Sequence, residues 1–284
     1  MEYRFSEDMK TVREILELTQ MDLAVQIGVE QVTISRSETQ KTMPSSGLLE
    51  NFYDFTFKHH INLGRLKEMF WREDIQNGHK LLFHGAKDQI VGPLDVHKGR
   101  KNNDFGQGFY TGESYAQAIS FVANFDKSCV YLMDFDGTDL TCKEYFVDQE
   151  WMLTIAYYRG NLSRYQDHPR IIQLINESQA CDYICAPIAD NRMFQIINSF
   201  IEGEITDEQC KHCLAATNLG KQYVFKSKKS IMNLALAERC YISESEREYY
   251  RSQRSADTQL GIDKVKVARI RYRGKGKYID EILV

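Results

Sequence analysis

Between Leu81 and Ala118 the chain gathers residue types suited to holding and acting on a ligand. The apolar run Leu81-Leu82-Phe83 ends in His84-Gly85. After a polar insertion comes Asp104-Phe105-Gly106-Gln107-Gly108-Phe109-Tyr110-Thr111. Gly106, Gly108 and Gly112 flank two aromatics. Glycine lets a backbone approach a ligand closely, and aromatic rings offer flat faces for stacking. A lone His-Gly after an apolar run is as consistent with a satisfied core residue as with a site. The second motif, about twenty residues later, shifts the balance towards a site.

Apolar run, turn, long loop, second run and helix form the pattern of two strands with a cleft-lining loop between them. Gly112-Glu113-Ser114 leads into Tyr115–Val122, whose apolar positions recur at helical spacing with Ser114 as N-cap. Downstream, Cys129–Asp136 alternates as a strand, while Cys142–Ala156 and Arg170–Ser178 read as helices. Tyr183–Pro187 is a second strand. It ends in Asp190-Asn191-Arg192, which opens a helix over Met193–Gly203. Polar residues at such a junction often serve a site, and Arg192 can hold a phosphate or pair with a neighbouring carboxylate. Thr206 caps a helix to Ala216, Leu219–Ser227 is a strand after Gly220, and Ile231–Leu236 begins another helix. Glu244–Ser255 is a charged helix. Lys264–Tyr278 then carries seven basic residues and no acid. Its β-alternation, broken at Arg273-Gly274-Lys275-Gly276, predicts a basic edge hairpin, more than edge protection needs and suited to nucleic acid or phosphate.

Before this region the chain is helical. Val12, Ile15, Leu16, Leu23, Ala24, Ile27, Val29 and Ile34 keep helical period, Thr19 caps the second helix, and Gly28 turns the chain: a helix-turn-helix pattern. Leu48–Trp71 reads as helical, with Phe52, Phe55, Ile61, Leu63, Leu66, Met69 and Phe70 as its core stripe. Asn77-Gly78 is the expected domain boundary, separating residues 1–74 from residues 79–284. The expected fold class is α+β, an all-α bundle followed by a sheet domain with flanking helices.

The chain has 284 residues, enough for two domains; 36 Lys and Arg against 40 Asp and Glu leave a formal net charge of −4. Bulk charge therefore excludes a general polyanion binder, so any nucleic-acid surface must be local. No apolar run of about 18 residues occurs, and Met1–Lys10 is too charged for a signal segment, so a cytoplasmic location is expected. Seven scattered cysteines favour reduced thiols. Cys181 and Cys185 alternate along one strand face and Cys210 and Cys213 lie one helical turn apart, so no metal is expected.

Two resemblances add to this reading. Leu18-Thr19-Gln20, Leu23-Ala24, Ile27-Gly28-Val29 and Thr33-Ile34-Ser35-Arg36 closely resemble the phage-repressor (XRE-type) DNA-binding family. That implies a second helix near Glu30–Glu38 in the major groove, with Gln31, Val32, Thr33 and Arg36 facing bases and Gln20 at the phosphates. The same bundle can instead serve dimerisation or hold the second domain. The His-Gly pair, the Gly-Phe-Tyr-Thr strand and the Gln-Ala helix resemble the nicotinamide-dinucleotide site of diphtheria-toxin-like and PARP-type ADP-ribosyltransferases. A closer resemblance, from about Lys80 to about Leu236, is to a bacterial family formally described as a domain of unknown function.

The resemblance implies an ADP-ribosyltransferase-like split sheet and NAD as substrate. His84 would bond the adenosine ribose and the Gly85 backbone the nicotinamide amide. Tyr110 would stack on the nicotinamide ring, Thr111 would line the pocket, and Gln222 would bond the nicotinamide ribose. Asp104 would orient the loop of Gly106, Gly108 and Phe109, or contact the substrate. Gln222 stands where that family often has Glu. An amide is no base near neutrality, so the acceptor brings its own nucleophile or another acid supplies the base. Two functions follow as expectations. One is an NAD-consuming transferase with a DNA-binding domain, suited to a toxin or phage-defence effector and to an antitoxin partner. The other is a transcription regulator that senses NAD or ADP-ribose without turnover. The acceptor (protein or nucleic acid) and pairing into a homodimer stay open.

Overall fold

The computed structural model describes residues 2–216 and 219–284. The fold is mixed α+β, a helical N-terminal region followed by a seven-stranded mixed sheet with helices. The helical region holds α1 (Phe5–Ile15), α2 (Gln20–Ile27), α3 (Gln31–Glu38), α4 (Ser46–Lys58) and α5 (Leu63–Asp74). Then come β1 (Lys80–Ala86), β2 (Phe109–Gly112), α6 (Tyr115–Val122), β3 (Cys129–Phe135), β4 (Cys142–Glu144), α7 (Gln149–Tyr158) and α8 (Pro169–Gln179). They are followed by β5 (Tyr183–Pro187), α9 (Asn191–Ile201), α10 (Asp207–Ala215), β6 (Lys221–Phe225) and α11 (Lys228–Met232). The chain closes with β7 (Leu234–Tyr241), α12 (Glu244–Arg271) and α13 (Ile279–Ile282).

Two compact units emerge. The first takes everything up to Ile90 together with Ser114–Phe135 and Ala235–Gln253; the second takes Val91–Glu113, Asp136–Leu234 and Arg254–Val284. These units do not follow the sequence division at Asn77-Gly78: the N-terminal helices share a unit with β1, α6 and β3. Buried charge is one reason. Lys67 of α5 meets Asp8 of α1 and Glu238 of β7 at 2.7 Å each, and the Trp71 indole donates to Glu238 at 2.8 Å. Each of these partners would be costly to leave unpaired in the interior.

In the first unit the strands run β1-β3-β7, with β1 and β3 antiparallel. Thr19 and Asp22 close a capping box at the start of α2, and Gly28 ends that helix in the left-handed region at φ 70°. The helical stretch Leu48–Trp71 is made of two helices, α4 and α5, separated where His60 turns to φ 63° and Asn62 caps α5. The break resets the helical phase. Leu63 and Gly64 are buried, whereas Met69 and Phe70, expected in the core, are more than half exposed. A Cβ added at Gly64 would sit 2.0 Å from the buried Tyr115 ring, whose hydroxyl donates to Glu246 at 3.1 Å. Gly64→Ala is therefore expected to lower the urea midpoint by the equivalent of about 1–3 kcal/mol through overpacking. An unchanged midpoint would contradict this packing.

In the second unit the strands run β4-β5-β6-β2, with β4 and β5 parallel and the β5–β6 and β6–β2 pairs antiparallel. Trp151, Met152, Ile184, Phe200 and Val224 are fully buried in one core. Three expectations are corrected here. Cys142–Ala156 is not one helix, because Cys142–Glu144 pairs with Tyr183–Cys185 before Asp148 caps α7. Ile231–Leu236 does not start a helix: α11 ends at Met232 and β7 opens at Leu234. The basic segment is no hairpin: Lys264–Arg271 is the last part of α12, and turns follow. Val265 and Ala268, three residues apart, both pack on this core, and the Gln209 amide donates to the Arg269 carbonyl at 2.9 Å. Six of the seven cysteines are buried, and Cys142 alone is exposed. Among the described residues, no helix is long and apolar enough to cross a membrane.

Candidate functional site

Asp104, at the end of the polar insertion, is the hub of the second unit. Its carboxylate is 6% exposed and takes four hydrogen bonds. Arg159, the C-cap of α7, donates from Nε at 2.9 Å and from Nη2 at 2.5 Å. Gln222 of β6 donates from Nε2 at 2.9 Å, and the Ala189 backbone N–H donates at 3.3 Å. Arg159 also donates to the Ala189 carbonyl at 2.9 Å and lies over the Phe194 ring, 4.7 Å from its centroid. Both Arg159 bonds converge on Oδ1, leaving Oδ2 to Gln222 and Ala189, and such charge-assisted bonds are stronger than neutral ones.

Gln222 has a determined orientation. Its Nε2 faces both Asp104 and the Pro187 carbonyl, the latter at 3.1 Å, and both are acceptors. The amide oxygen is thereby turned away from them, as a group that can accept a hydroxyl proton. The register sets Gln222 opposite Gly112 and Val224 opposite Tyr110.

The glycine-rich loop is held from both sides. The Tyr110 hydroxyl donates to the Gly106 carbonyl at 2.7 Å and accepts from the Phe105 N–H at 3.1 Å. Burial pushes this phenol far above its ordinary range, so it remains a donor. Lys226 donates to the Phe105 and Gln107 carbonyls at 2.6 and 2.8 Å, and burial lowers its pKa. Gly106 adopts φ 70°, and a Cβ there would meet the Tyr158 ring at 2.7 Å; at Gly108 it would meet the Val224 side chain at 2.8 Å. These glycines are thus required by protein neighbours, whatever ligand approaches the loop. Phe109 is half-buried near Phe225, and the Thr111 hydroxyl donates to the Tyr223 carbonyl at 3.3 Å.

Of the expected site residues, Asp104, Gly106, Gly108, Tyr110, Thr111 and Gln222 therefore gather in one network. Arg192 does not join it. Its Nη1 donates to the Thr258 carbonyl of α12 at 2.7 Å, and its guanidinium occupies the space a Cβ on Gly261 would need. Asp190 caps α9 through the Met193 N–H. Arg159 and Lys226 were missed. Their partners lie 55 and about 120 residues away in sequence, and nothing local to either marks it.

His84 and Gly85 belong to the first unit. His84 is half-buried in β1 opposite Tyr131, and Gly85 lets α6 approach, since a Cβ there would lie 2.4 Å from the Ala118 carbonyl. In the helical region, Gln31 donates to Gln20 at 2.7 Å and Gln20 donates to Glu38 at 2.7 Å. Arg13 also pairs with Glu38, at 2.6 Å. The Gln20 amide is thus engaged inside the helix pair. On α3, Val32 and Arg36 are exposed and Thr33 is half-buried. Among the described residues, no three His, Cys, Asp or Glu side chains form a group able to hold a metal.

Residues 81–236, more than half of the chain, match the model of a family described as a protein of unknown function (DUF3990). The match begins in β1, ends in β7 and leaves out the five N-terminal helices. No curated protein and no solved structure matches the chain.

Proposed function

The chain belongs to the DUF3990 family, and from that premise we propose that it is an ADP-ribosyltransferase consuming NAD, with a DNA-binding helical region ahead of it. The observation that carries the proposal is the network in which Tyr110, the glycine loop and Gln222 are fixed around Asp104. Cleavage of the bond between nicotinamide and ribose leaves a cationic, oxocarbenium-like sugar. The nicotinamide departs with the bonding pair, and an acceptor X–H adds to the sugar and releases its proton. Such a reaction needs mainly rigid positioning and charge stabilisation, which a prearranged network supplies. The Gln222 oxygen would accept from a ribose hydroxyl and the Tyr110 ring would stack on nicotinamide. Base catalysis is not in Gln222's repertoire, so the acceptor brings its own nucleophile or a second acid assists.

Full-length protein incubated with nicotinamide-labelled NAD and a cell lysate is expected to release nicotinamide. Tyr110→Ala should lower the rate by about 100-fold, the scale of a lost positioning contact. Tyr110→Phe keeps the ring and separates stacking from loop support. Dinucleotide that stays intact, with nothing labelled, ends the reading.

A second reading, sensing without turnover, is favoured by one feature: an amide, held by an acidic partner, where a general base would otherwise stand. It predicts operator binding that changes with NAD or ADP-ribose in a gel shift, with no nicotinamide released.

A further inference from the structure

The first unit contains a cavity of about 840 Å³, and none of the candidate site residues lines it. Three side chains on its wall are more than nine-tenths buried, each with a polar atom that has no hydrogen-bond partner among the described residues: Ser37 Oγ on α3, Ser128 Oγ before β3, and Arg239 Nε on β7. An unmet donor at a buried position is costly; in Arg239 it is Nε that lacks a partner, while the guanidinium also bonds the Cys129 thiol.

Arg239 is the decisive group. Among the described residues no carboxylate pairs with it. Glu238, its neighbour on β7, projects to the opposite side of the strand and is taken by Lys67 and the Trp71 indole. The Arg239 guanidinium lies over the Tyr3 ring at 4.2 Å and towards the Tyr131 ring at 5.9 Å. Aromatic faces favour a cation but do not neutralise it. The adjoining Cys129 is kept a neutral thiol by burial. The acids on the wall, Glu2, Glu7, Asp88 and Asp126, are all exposed to solvent, and Glu7 already faces Arg4 at 3.7 Å. Water and salt screen charges at such positions, so they do not offset a cation in the interior.

We propose that this cavity binds a small organic anion whose phosphate or carboxylate pairs with Arg239 and accepts from the Ser37 and Ser128 hydroxyls. The body of the ligand would lie beside Tyr3 and Tyr241, which also line the cavity. A ligand reaching all three donors ties α3 to β3 and β7, so its arrival is felt at the helix that carries Val32, Thr33 and Arg36. The site does not depend on the transferase reading, and its test uses neither NAD nor DNA.

Full-length protein is titrated with inorganic phosphate and, separately, with acetate, each against sodium chloride of equal ionic strength. The expected result is a saturable rise in thermal midpoint with one of the two anions and a displacement of the Arg239 Nε–H resonance with the same midpoint. A response to phosphate assigns a phosphorylated ligand, and a response to acetate a carboxylic one. Arg239→Gln should weaken the responding anion by about tenfold or more, the scale of one charge-assisted hydrogen bond. Ser128→Ala should weaken it by less. The proposal is overturned if neither anion moves the Arg239 resonance, or if Arg239→Gln binds as tightly as the native chain. Should Arg239→Gln fail to fold, the resonance of the native protein still decides.

Discussion

Replacing Asp104 by alanine is expected to cost about 3–5 kcal/mol of folding stability, the range for stripping one partner from a buried ion pair. The reason lies in what the substitution leaves behind. The Arg159 side chain is 18% exposed and would keep its charge with no counterion at hand. The Gln222 amide and the Ala189 N–H would each lose an acceptor as well. Urea unfolding measures the loss. The double variant Asp104→Ala with Arg159→Met should recover part of it, because the orphaned cation is gone and its stem is replaced. A single variant within about 1 kcal/mol of the native chain would mean that water, not the network, satisfies Arg159.

The second large effect is a dependence on pH carried by one carboxyl. Glu246 of α12 is buried, and burial pushes its pKa up to about 8, against the lowering influence of the Tyr115 hydroxyl and Arg247. An unfolded glutamate titrates at about 4.3. Between those values the folded chain holds a proton that the unfolded chain has released. Stability is then fully present below about pH 4 and falls as pH rises towards about 8, where the loss levels off at a few kcal/mol. Glu246→Gln is neutral throughout and keeps an oxygen for the Tyr115 hydroxyl. It should match the native chain near pH 4 and exceed it near pH 8 in urea midpoint. A gap between the two proteins that stays constant over this span would refute the buried, protonated Glu246.

What the sequence made legible was local. Tyr183–Pro187 forms the expected strand, and Thr206 caps α10 with Gln209 answering as the third helical residue. Thr19 and Gly28 bound α2 as expected. Each of these signals is complete within a few residues. The errors arose where distant packing overrode local preference. Val265 and Val267 alternate like a strand, yet Val267 and Ile270 are exposed and Ala268 is buried, because α10 receives a helix there. Leu234-Ala235-Leu236-Ala237 is a run of helix formers made into β7. The site follows the same division. The motif marked Asp104, Tyr110 and the glycines, and the strand after Gly220 marked Gln222. Arg159 could not be found, since a lone arginine before Gly160 reads only as a helix end. Arg192 lies 3.9 Å from the carboxylate of Asp190, one of the two roles expected of it, but its bond to the Thr258 carbonyl, 66 residues on, has no local signal.

The burial of six cysteines decides how the chain meets an oxidant. Six sulfurs are shielded, and burial raises the pKa of each, which removes the thiolate that oxidation and exchange require. Cys142 sits on β4, the outermost strand of the second unit's run, and is the one thiol open to solvent. A covalent bridge between two copies of the folded chain must therefore run through Cys142 on both, giving a single symmetric dimer. Higher crosslinked species, in this light, report unfolding first.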